Sequence, residues 1–324
     1  MLAAAYDRLG SSDVIRVREL ERPEPGPGEV RVRLRVSGVN PTDWKSRAGV
    51  TRAAPTTLQV PNQDGAGVID AVGEGVEAQR LGERVWVYFA AWQRRWGTAA
   101  QWTVVPAARA VPLPDGASDD LGASLGIPAV TAHRCLFGDG PVEGLTVLVA
   151  GGAGAVGHSA IQLARWAGAR TIATVSGPEK AEIARAAGAD HVVSYREPGA
   201  DEAIRALAPD GIHRVVEVAL RDNLELDLGT CAPNAVITTY ADDGVGDPSV
   251  PVRRLMTANL LLRFVLVYRV PTAELDRAVA DITRALGDGA LSTLPLHRFP
   301  LARAAEAHDA VEHGAVGKVL IDIP

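Results

Sequence analysis

The chain has 324 residues, enough for two domains, and its 47% hydrophobic and 22% charged residues are the composition of an ordinary soluble protein. The formal net charge of −6 gives no electrostatic basis for nucleic-acid binding, and no apolar run approaches the ~20 residues that a membrane span needs. The N-terminal segment lacks the apolar core of a signal peptide, and the two cysteines, Cys135 and Cys231, cannot form a four-thiolate zinc site. We therefore expect a cytoplasmic protein.

The first third of the chain is predicted to form short strands between glycine- and proline-rich turns. Residues 30–36 alternate apolar and polar side chains, which is typical of a strand with one exposed face. Further strands are predicted at residues 66–72, 83–89 and 101–105. This pattern predicts a compact β domain.

Helical patterns appear after residue 119, where Pro128 is expected to interrupt a helix. From Thr146 onward buried strands alternate with helices, which indicates a parallel sheet covered on both faces. The segment ADEAIRALAPDG within this region is polar. Residues 271–288 and 301–313 have helical periodicity, and GKVLIDI is predicted to be a closing strand. The fold class is therefore α/β.

A glycine-rich loop, VLVAGGAGAVG, follows the first of these buried strands. Gly151, Gly154 and Gly157 recur at intervals of three, between a β run and a helical pattern. Glycines let the backbone turn sharply and approach a pyrophosphate, and the next helix offers unpaired N–H groups and its positive dipole end. Because strand, loop and helix occur in the order that this mechanism needs, we interpret these glycines, with Ala155 and Val156, as a dinucleotide-binding loop rather than an ordinary turn.

The next strand indicates which dinucleotide binds. Ser176 lies 176 − 157 = 19 residues past the last glycine of the loop, where an NAD enzyme usually places an acid on the ribose 2′-hydroxyl. Ser176 can donate a hydrogen bond and Lys180 adds a positive charge, which a 2′-phosphate requires, so we predict NADPH. Tyr195, which ends the following strand, is a further candidate for this phosphate. The alternatives are a helix N-cap for Ser176, a solvated Lys180 and a plain strand-end tyrosine.

Seven motifs together resemble the medium-chain dehydrogenase/reductase superfamily, and within it the quinone oxidoreductase (zeta-crystallin-like) branch. They are GVNPTDW, VPNQDGAGVIDAVGEGV, GERVW, SLGIPAVTAHRCLF, VLVAGGAGAVGHSAIQLAR, AGADHVVSY and GKVLIDI. They occur in order over nearly the whole chain. The resemblance implies a Rossmann domain, with a doubly wound parallel sheet, inserted in a β-rich, GroES-like catalytic domain, and it implies NADPH as the cofactor.

The resemblance also sets domain boundaries and an assembly. It implies a catalytic domain of residues 1–123 plus 267–324 and a Rossmann NADPH-binding domain of residues 124–266. It further implies a homo-oligomer, commonly a dimer built through the edge of the Rossmann sheet. The segment 259–267, NLLLRFVLV, is the natural edge strand, and pairing would cover an apolar edge that otherwise invites aggregation.

No catalytic metal is expected. In the zinc alcohol dehydrogenases of the superfamily, metal ligands occupy the positions of Asn40 and Gln63 and a position near Leu125, and none of these residues is a usual zinc ligand. The histidines of the chain are dispersed. Without a Lewis acid that lowers the pKa of an alcohol, alcohol oxidation is not expected. Hydride delivery to an electron-poor acceptor, a quinone or an α,β-unsaturated carbonyl, needs no metal.

In such a reaction the protein positions the acceptor and donates hydrogen bonds to it. The Asn40 amide is the first candidate to donate to the substrate or to orient the cofactor, and the alternative is a turn-forming role before Pro41. Thr131 is a candidate to hydrogen-bond the nicotinamide side of the cofactor, and the alternative is helix packing. Asp64 is expected to brace the fold, because the reaction removes no proton.

The residues that select the substrate depart from the branch, whose members commonly carry two pocket tyrosines at the positions of Lys45 and Thr51. Trp44, Trp92 and Trp96 are candidates to rebuild the pocket wall, since tryptophan stacks well on flat conjugated rings. The alternative for Trp92 and Trp96 is that they hold down a surface loop. Lys45 is a candidate to stabilise a developing enolate or to attract an acidic substrate, unless it is an ordinary exposed lysine.

These observations predict an NADPH-dependent, zinc-free reductase of quinones or enones, acting on a small molecule. Two alternatives stay open because the pocket tyrosines are replaced. One is a dedicated reductase or tailoring enzyme for a single conjugated, polycyclic metabolite. The other is a catalytically weak NADPH-binding protein.

Overall fold

The structure, a computed structural model, describes residues 1–51, 55, 57–242, 246 and 249–324. The chain divides into two compact units, of which the first comprises Met1–Ile127 with Thr293–Pro324 and the second comprises Pro128–Ser292. In the described part of the chain, no helix is both long enough and apolar enough to pass through a membrane.

Strands and α-helices are numbered in chain order over the described residues. The strands are β1 Leu2–Ala5, β2 Arg16–Glu19, β3 Glu29–Val39, β4 Asp64–Val72, β5 Arg84–Val87, β6 Trp102–Pro106, β7 Ala110–Pro112, β8 Thr146–Ala150, β9 Arg170–Val175, β10 His191–Ser194, β11 Ile212–Glu217, β12 Cys231–Thr239, β13 Leu261–Phe264, β14 Leu296–Pro300 and β15 Lys318–Asp322. The helices are α1 Pro41–Arg47, α2 Asp119–Gly122, α3 Gly126–Phe137, α4 Ala155–Trp166, α5 Pro178–Ala186, α6 Ala200–Leu207, α7 Leu220–Thr230, α8 Val252–Thr257, α9 Thr272–Gly287 and α10 Ala304–Glu312.

The second unit is built on a six-stranded parallel sheet in the order β10-β9-β8-β11-β12-β13. Helices α4 to α7 pack against it, and strands such as β8 and β9 are buried over almost their whole length. Strands that are covered on both faces need continuous apolar runs, which is why their sequences do not alternate. Counted from β8, the order is 3-2-1-4-5-6, that of a doubly wound dinucleotide-binding sheet. The predicted Rossmann fold is confirmed.

The first unit is a β-rich body centred on β3, which pairs with β4, β6 and β15 in antiparallel fashion. These strands belong to a seven-stranded sheet in the order β14-β15-β3-β4-β5-β7, with β6 joined to β3, while β1 and β2 form a separate pair. The predicted strands of the first third correspond to β3, β4, β5 and β6. In the register of β15 on β3, Val319 lies opposite Val39, so the residue before Val319 reaches the end of β3.

The chain passes from one unit to the other at positions that differ from the predicted domain boundaries, which lie at residues 123/124 and 266/267. The first unit extends to Ile127, because the N–H of Ile127 donates to the Asp64 carboxylate at 2.9 Å. Helix α9 lies in the second unit, where His133 Nε2 on α3 is 2.7 Å from Asp281 Oδ2 on α9. The segment 267–292, assigned to the catalytic domain from the sequence, therefore lies in the second unit.

Two local predictions are also corrected. Helix α3 runs through Pro128 without interruption, because this proline is the third residue of the helix, where its missing N–H has no intrahelical partner to lose. Helix α10 begins at Ala304, after a short 3₁₀ turn over Leu301–Arg303, later than the predicted 301–313.

Candidate active site

The end of β3 leads into α1 through Asn40. This residue has extended backbone angles, φ −125° and ψ 160°, and its N–H donates to the Asp43 carboxylate at 2.8 Å. Pro41 takes the first helical position, where a missing N–H has no consequence. The backbone of Asn40 therefore begins the helix, as the turn-forming alternative predicts, while its side chain is engaged elsewhere.

The Asn40 carboxamide lies between a carboxylate and an ammonium group. Its Nδ2 donates to Asp64 Oδ2 at 2.7 Å, and its Oδ1 accepts from Lys318 Nζ at 2.8 Å. The Asp64 carboxylate also accepts the N–H of Ile127, and Lys318 donates to the carbonyl oxygen of Val39 at 3.3 Å. Asn40, Asp64 and Lys318 are 1%, 0% and 2% exposed. Asp64 thus braces the start of α3, and the three side chains form one buried polar network.

Burial controls the ionisation of this network. Desolvation raises the pKa of Asp64 to about 6, although the Lys318 charge and the hydrogen bonds from Ile127 and Asn40 act in the opposite direction. Desolvation and the Asp64 charge hold the pKa of Asp43 well above its usual range. The pKa of Lys318 is lowered by burial, against the opposing charges of Asp64 and Asp43. Two carboxyl groups therefore share the field of a single ammonium group.

The positions that the resemblance assigns to zinc ligands, namely Asn40, Gln63 and a position near Leu125, do not fit a zinc ion. The Asn40 amide is bonded to Asp64 and Lys318, Gln63 Oε1 accepts the N–H of Ala91 at 3.1 Å, and Leu125 is a buried hydrocarbon without a donor atom. The Lys318 ammonium would also repel a divalent cation held at Asn40. Among the described residues, no group of three or more His, Cys, Asp or Glu side chains is arranged to hold a metal ion.

The loop between β8 and α4 has the close contacts of a phosphate-binding turn. Gly151 has φ +68°, in the left-handed region that favours glycine, and Gly154 caps α4. Ala155 and Val156 form the first turn of the helix, whose N–H groups have no partner within the helix. A Cβ on Gly157 would lie 2.3 Å from the Gly151 carbonyl oxygen. Only glycine therefore lets α4 begin this close to β8.

Gly152 also belongs to this loop, although it is not one of the glycines that recur at intervals of three. A Cβ there would lie 2.8 Å from the Cβ of Ala173 and 3.1 Å from Cδ1 of Ile161, so a side chain would push α4 away from the sheet. The role of Gly152 could have been recognised from the sequence. Gly152, Gly154 and Gly157 follow the G-x-G-x-x-G spacing, in which the first glycine makes the tight turn and the third permits close helix–strand packing.

Ser176 and Tyr195 come together at the carboxyl ends of β9 and β10. In the register of these strands Ser194 lies opposite Val175, so the two following residues are neighbours. The N–H of Tyr195 donates to the carbonyl oxygen of Val175 at 3.1 Å, and its side chain is 46% exposed. Both predicted hydroxyl groups therefore lie at the end of the sheet where a doubly wound fold binds its ligand.

Lys180 is the third residue of α5 and is half-buried. The helix begins at Pro178 with Gly177 as its N-cap, so the alternative in which Ser176 is the helix N-cap is wrong. Thr131 lies within α3 and is 4% exposed. The second unit therefore contains Thr131, the glycine loop and the predicted 2′-phosphate residues, and the first unit contains the Asn40 network.

The predicted substrate residues have different surroundings. Trp44 and Lys45 are half-buried on α1, and Lys45 Nζ lies 5.9 Å from the centroid of the Trp44 ring. Trp92 is half-buried in the loop after β5. Trp96 packs against the apolar cluster that includes β1 and α10, and the Arg95 guanidinium lies 4.4 Å from the centroid of its ring. This packing favours the loop-holding interpretation for Trp96.

Lys318 is a candidate functional residue that the sequence did not point to. In the sequence it is the lysine that precedes the apolar residues of the closing strand, GKVLIDI. Its place beside Asn40 follows from the pairing of β15 with β3, over 278 positions of the chain. The only sequence signal is a lysine at the edge of a buried strand, and such residues are ordinarily solvated.

Two family models match the chain. "Alcohol dehydrogenase GroES-like domain" matches residues 26–115, and "Zinc-binding dehydrogenase" matches residues 155–284. Human quinone oxidoreductase is 28% identical over 328 residues, which cover 99% of this chain and 97% of that protein. The chain belongs to the medium-chain dehydrogenase/reductase superfamily. Its predicted place in the quinone oxidoreductase branch of that superfamily is confirmed, and the chain is an oxidoreductase.

Solved structures of the superfamily match both units. An NAD-dependent alcohol dehydrogenase has a TM-score of 0.88 and 28% identity and covers 100% of both chains. A mycobacterial protein in complex with NADPH has a TM-score of 0.86 and 29% identity, over 99% of this chain and 100% of that one. A 2-haloacrylate reductase has a TM-score of 0.84 and 29% identity, over 99% of each chain. Members with different cofactors and substrates share this fold, so the side chains of the site must distinguish them.

Proposed function

We propose that this protein is an NADPH-dependent reductase that transfers hydride to quinones or α,β-unsaturated carbonyls without a catalytic metal. The buried network of Asn40, Asp64 and Lys318 carries the proposal. By the resemblance, Asn40 occupies a position that holds a metal ligand in the zinc alcohol dehydrogenases of the superfamily, and its amide offers a hydrogen-bond donor in place of a Lewis acid. A donor suffices for an acceptor that is already electron-poor, whereas an alcohol needs its pKa lowered.

NADPH is the cofactor, and it supplies the hydride. The glycine loop from Gly151 to Gly157 would hold the pyrophosphate on the N-terminus of α4. Ser176, Lys180 and Tyr195 would hold the 2′-phosphate, and the Ser176 hydroxyl is not used as a helix cap. The similar mycobacterial protein was solved with NADPH, which supports the choice of cofactor. An NAD-dependent relative has the same fold, so the proposal depends on these three side chains and not on the fold.

On this proposal the chain orients its acceptor and stabilises negative charge. As the acceptor is reduced at carbon, charge develops on its carbonyl oxygen, and solvent supplies the proton that completes the reduction. Asn40 donates a hydrogen bond to that oxygen, and such a donor is typically worth about 3–4 kcal/mol. Thr131 is proposed to bond the nicotinamide side of the cofactor. Trp44 and Lys45 are proposed to line the acceptor site, with Lys45 supplying positive charge.

We further propose a cytoplasmic homodimer joined through the free edge of the Rossmann sheet. Strand β13 ends the sheet and pairs only with β12 among the described strands. Apolar side chains on and beside it are exposed, among them Leu261 at 43%, Phe264 at 68% and Leu266 at 56%. A second copy would cover this edge. Both cysteines are free thiols, which is usual in a reducing compartment.

The function is tested with protein dialysed against a chelator, by following NADPH oxidation with a simple benzoquinone, a linear enone and a bulky polycyclic quinone. We expect turnover with at least one class and a loss of about 100-fold or more in kcat for Asn40→Ala. The matched control is Asn223→Ala, since Asn223 is an amide in the second unit that donates to Glu217.

Two results would contradict the proposal. One is no NADPH oxidation with any acceptor, together with alcohol oxidation that depends on added zinc. The other is an Asn40→Ala variant as active as the wild type, which would remove the donor from the mechanism. A preference of more than about 100-fold for the polycyclic acceptor would favour the dedicated tailoring enzyme, and tight NADPH binding without turnover would favour the catalytically weak binding protein.

A further inference from the structure

Lys318 is a buried cation bonded to a neutral partner. It is 2% exposed, and its ammonium donates to the Asn40 amide oxygen and to the Val39 carbonyl oxygen. No described carboxylate pairs with it directly. Lysine is almost never fully buried unless it is paired, because desolvating the charge is costly. The ammonium therefore meets its counter-charge only across the Asn40 amide, whose Nδ2 end is bonded to Asp64.

The backbone is shaped to admit this side chain. Lys318 is the first residue of β15, and the register of β15 on β3 places it opposite Asn40. Gly38, two residues before Asn40, leaves room for the lysine tail, since a Cβ there would lie 3.2 Å from Lys318 Cε and 2.0 Å from the Ala123 carbonyl oxygen. The strand pairing and the glycine together direct the ammonium to Asn40 Oδ1 at 2.8 Å, with the Val39 carbonyl oxygen at 3.3 Å as its second acceptor.

We propose that Lys318 is the positioning residue for Asn40: its ammonium fixes the carboxamide with the oxygen turned inward and the Nδ2 end presented as the hydrogen-bond donor. An ammonium group has donors and no acceptor, so the atom it contacts must be the amide oxygen. A carboxylate only accepts, so Asp64 selects the Nδ2 end. The two charged neighbours impose the same orientation. One Nδ2 proton goes to Asp64, and the other is the donor for a ligand.

The ammonium also strengthens that donor. A positive charge 2.8 Å from the amide oxygen draws electron density away from nitrogen, which makes the remaining N–H a better donor to an oxygen that gains charge. Lys318 thus acts on the acceptor through Asn40 and not by contact. This role rests on the proposed function of Asn40, and it predicts that the effects of the two side chains on turnover are coupled.

A double-mutant cycle tests that coupling. We expect Lys318→Met to lower kcat by about 10- to 100-fold with KM for NADPH within about twofold, because the donor is misdirected rather than deleted. In an Asn40→Ala background, Lys318→Met should change kcat by less than about twofold, since residues that act as a unit are not additive. Losses of kcat that multiply independently would overturn the inference. If Lys318→Met does not fold, Lys318→Gln replaces it in the cycle with the same expected loss of kcat, because an amide carries an acceptor as well as donors and no longer dictates which end of Asn40 faces it.

The matched control is Arg31→Met. Arg31 is another buried cation of the first unit, 6% exposed, and it pairs with Asp70 at 2.8 Å and Glu24 at 2.6 Å. Removing it should lower the melting temperature and leave kcat unchanged. A similar loss of kcat in Arg31→Met would mean that turnover responds to any lost buried cation, which would contradict a specific role for Lys318.

A second measurement does not depend on turnover. The side-chain amide protons of Asn40, assigned in ¹⁵N spectra by their loss in Asn40→Ala, should exchange slowly with solvent in the wild type. Exchange should become at least about tenfold faster in Lys318→Met and stay unchanged in Arg31→Met. Unchanged protection in Lys318→Met would overturn the inference. If no acceptor is reduced, the proposed function fails, and this exchange measurement still decides whether Lys318 positions Asn40.

Discussion

Replacing Gly157 with alanine should force α4 away from β8 and weaken NADPH binding. The added Cβ would lie 2.3 Å from the Gly151 carbonyl oxygen and 2.9 Å from its carbonyl carbon, whereas ordinary contact begins at 3.4 Å. The start of the helix must therefore retreat by about 1 Å, an overpacking that costs about 1–3 kcal/mol of stability. Losing one charge-assisted hydrogen bond to the pyrophosphate, worth about 1.5–3 kcal/mol, weakens NADPH binding by about 10- to 150-fold.

The assay is a fluorescence titration with NADPH together with a thermal melt of the ligand-free protein. Gly157→Ala should show both the weaker binding and a melting temperature lower by a few degrees. Gly154→Ala is the matched control, since the nearest atom to its Cβ is the Gly151 carbonyl oxygen at 3.3 Å, a contact that a slight shift relieves. That variant should melt like the wild type and lose affinity only, because its Cβ faces the approaching pyrophosphate. A Gly157→Ala protein with wild-type affinity and melting temperature would refute the close-packing explanation.

Three further predictions concern the cofactor, the pH dependence and the assembly. Lys180→Ala should weaken NADPH binding by more than about tenfold and NADH binding by less than about twofold, since only NADPH carries the 2′-phosphate; equal losses would show that Lys180 is merely solvated. Burial raises the pKa of Asp64 from 3.8 to about 6, so the folded state keeps a proton that the unfolded chain releases. The stability from this group is therefore present below pH ~4 and is lost, by about 3 kcal/mol, as the pH rises through about 6. As the pH rises across this range, the melting temperature of the wild type should fall more steeply than that of Asp64→Asn. Parallel melting-temperature curves for the two proteins would contradict this prediction. Phe264→Glu should convert a dimer into a monomer in light scattering, whereas Val17→Glu, at a position 40% exposed on β2, should not; a wild-type monomer would exclude the proposed interface.

The parts of the fold that were predictable depend on local signals. The Rossmann unit follows from buried strands that alternate with helices and from a glycine-rich loop that stands between a strand and a helix, so few residues identify it. Helix α6 lies in a segment that was recognised from the sequence only as polar, and its buried residues are Ala200 and Ile204. The second crossing between units was misplaced because α9 has the same amphipathic pattern whichever unit it packs against. Long-range contacts such as that of His133 with Asp281 decide which unit α9 belongs to, and a local sequence pattern does not reveal them.

The residues of the candidate site also divide into those that the sequence reveals and those that it does not. Asn40 and the glycine loop are recognisable because each lies in a short motif with its own spacing. Lys318 is not, because its role depends on a strand register between β15 and β3 and on the burial that follows from it. The alternative in which Ser176 caps α5 could be excluded only with the structure, which shows that the next residue, Gly177, is the N-cap.

The pairing of β15 with β3 has a consequence for biosynthesis. Lys318 and Asn40 are 278 positions apart, and the whole second unit is synthesised between them. During translation Asn40 and Asp64 leave the ribosome long before the cation that neutralises their surroundings. A first unit that closed before β15 docks would bury the Asp64 carboxylate without this counter-charge, which favours a protonated Asp64 or a sheet that stays open. Competence for turnover should therefore appear abruptly, late in synthesis, when the final strand docks.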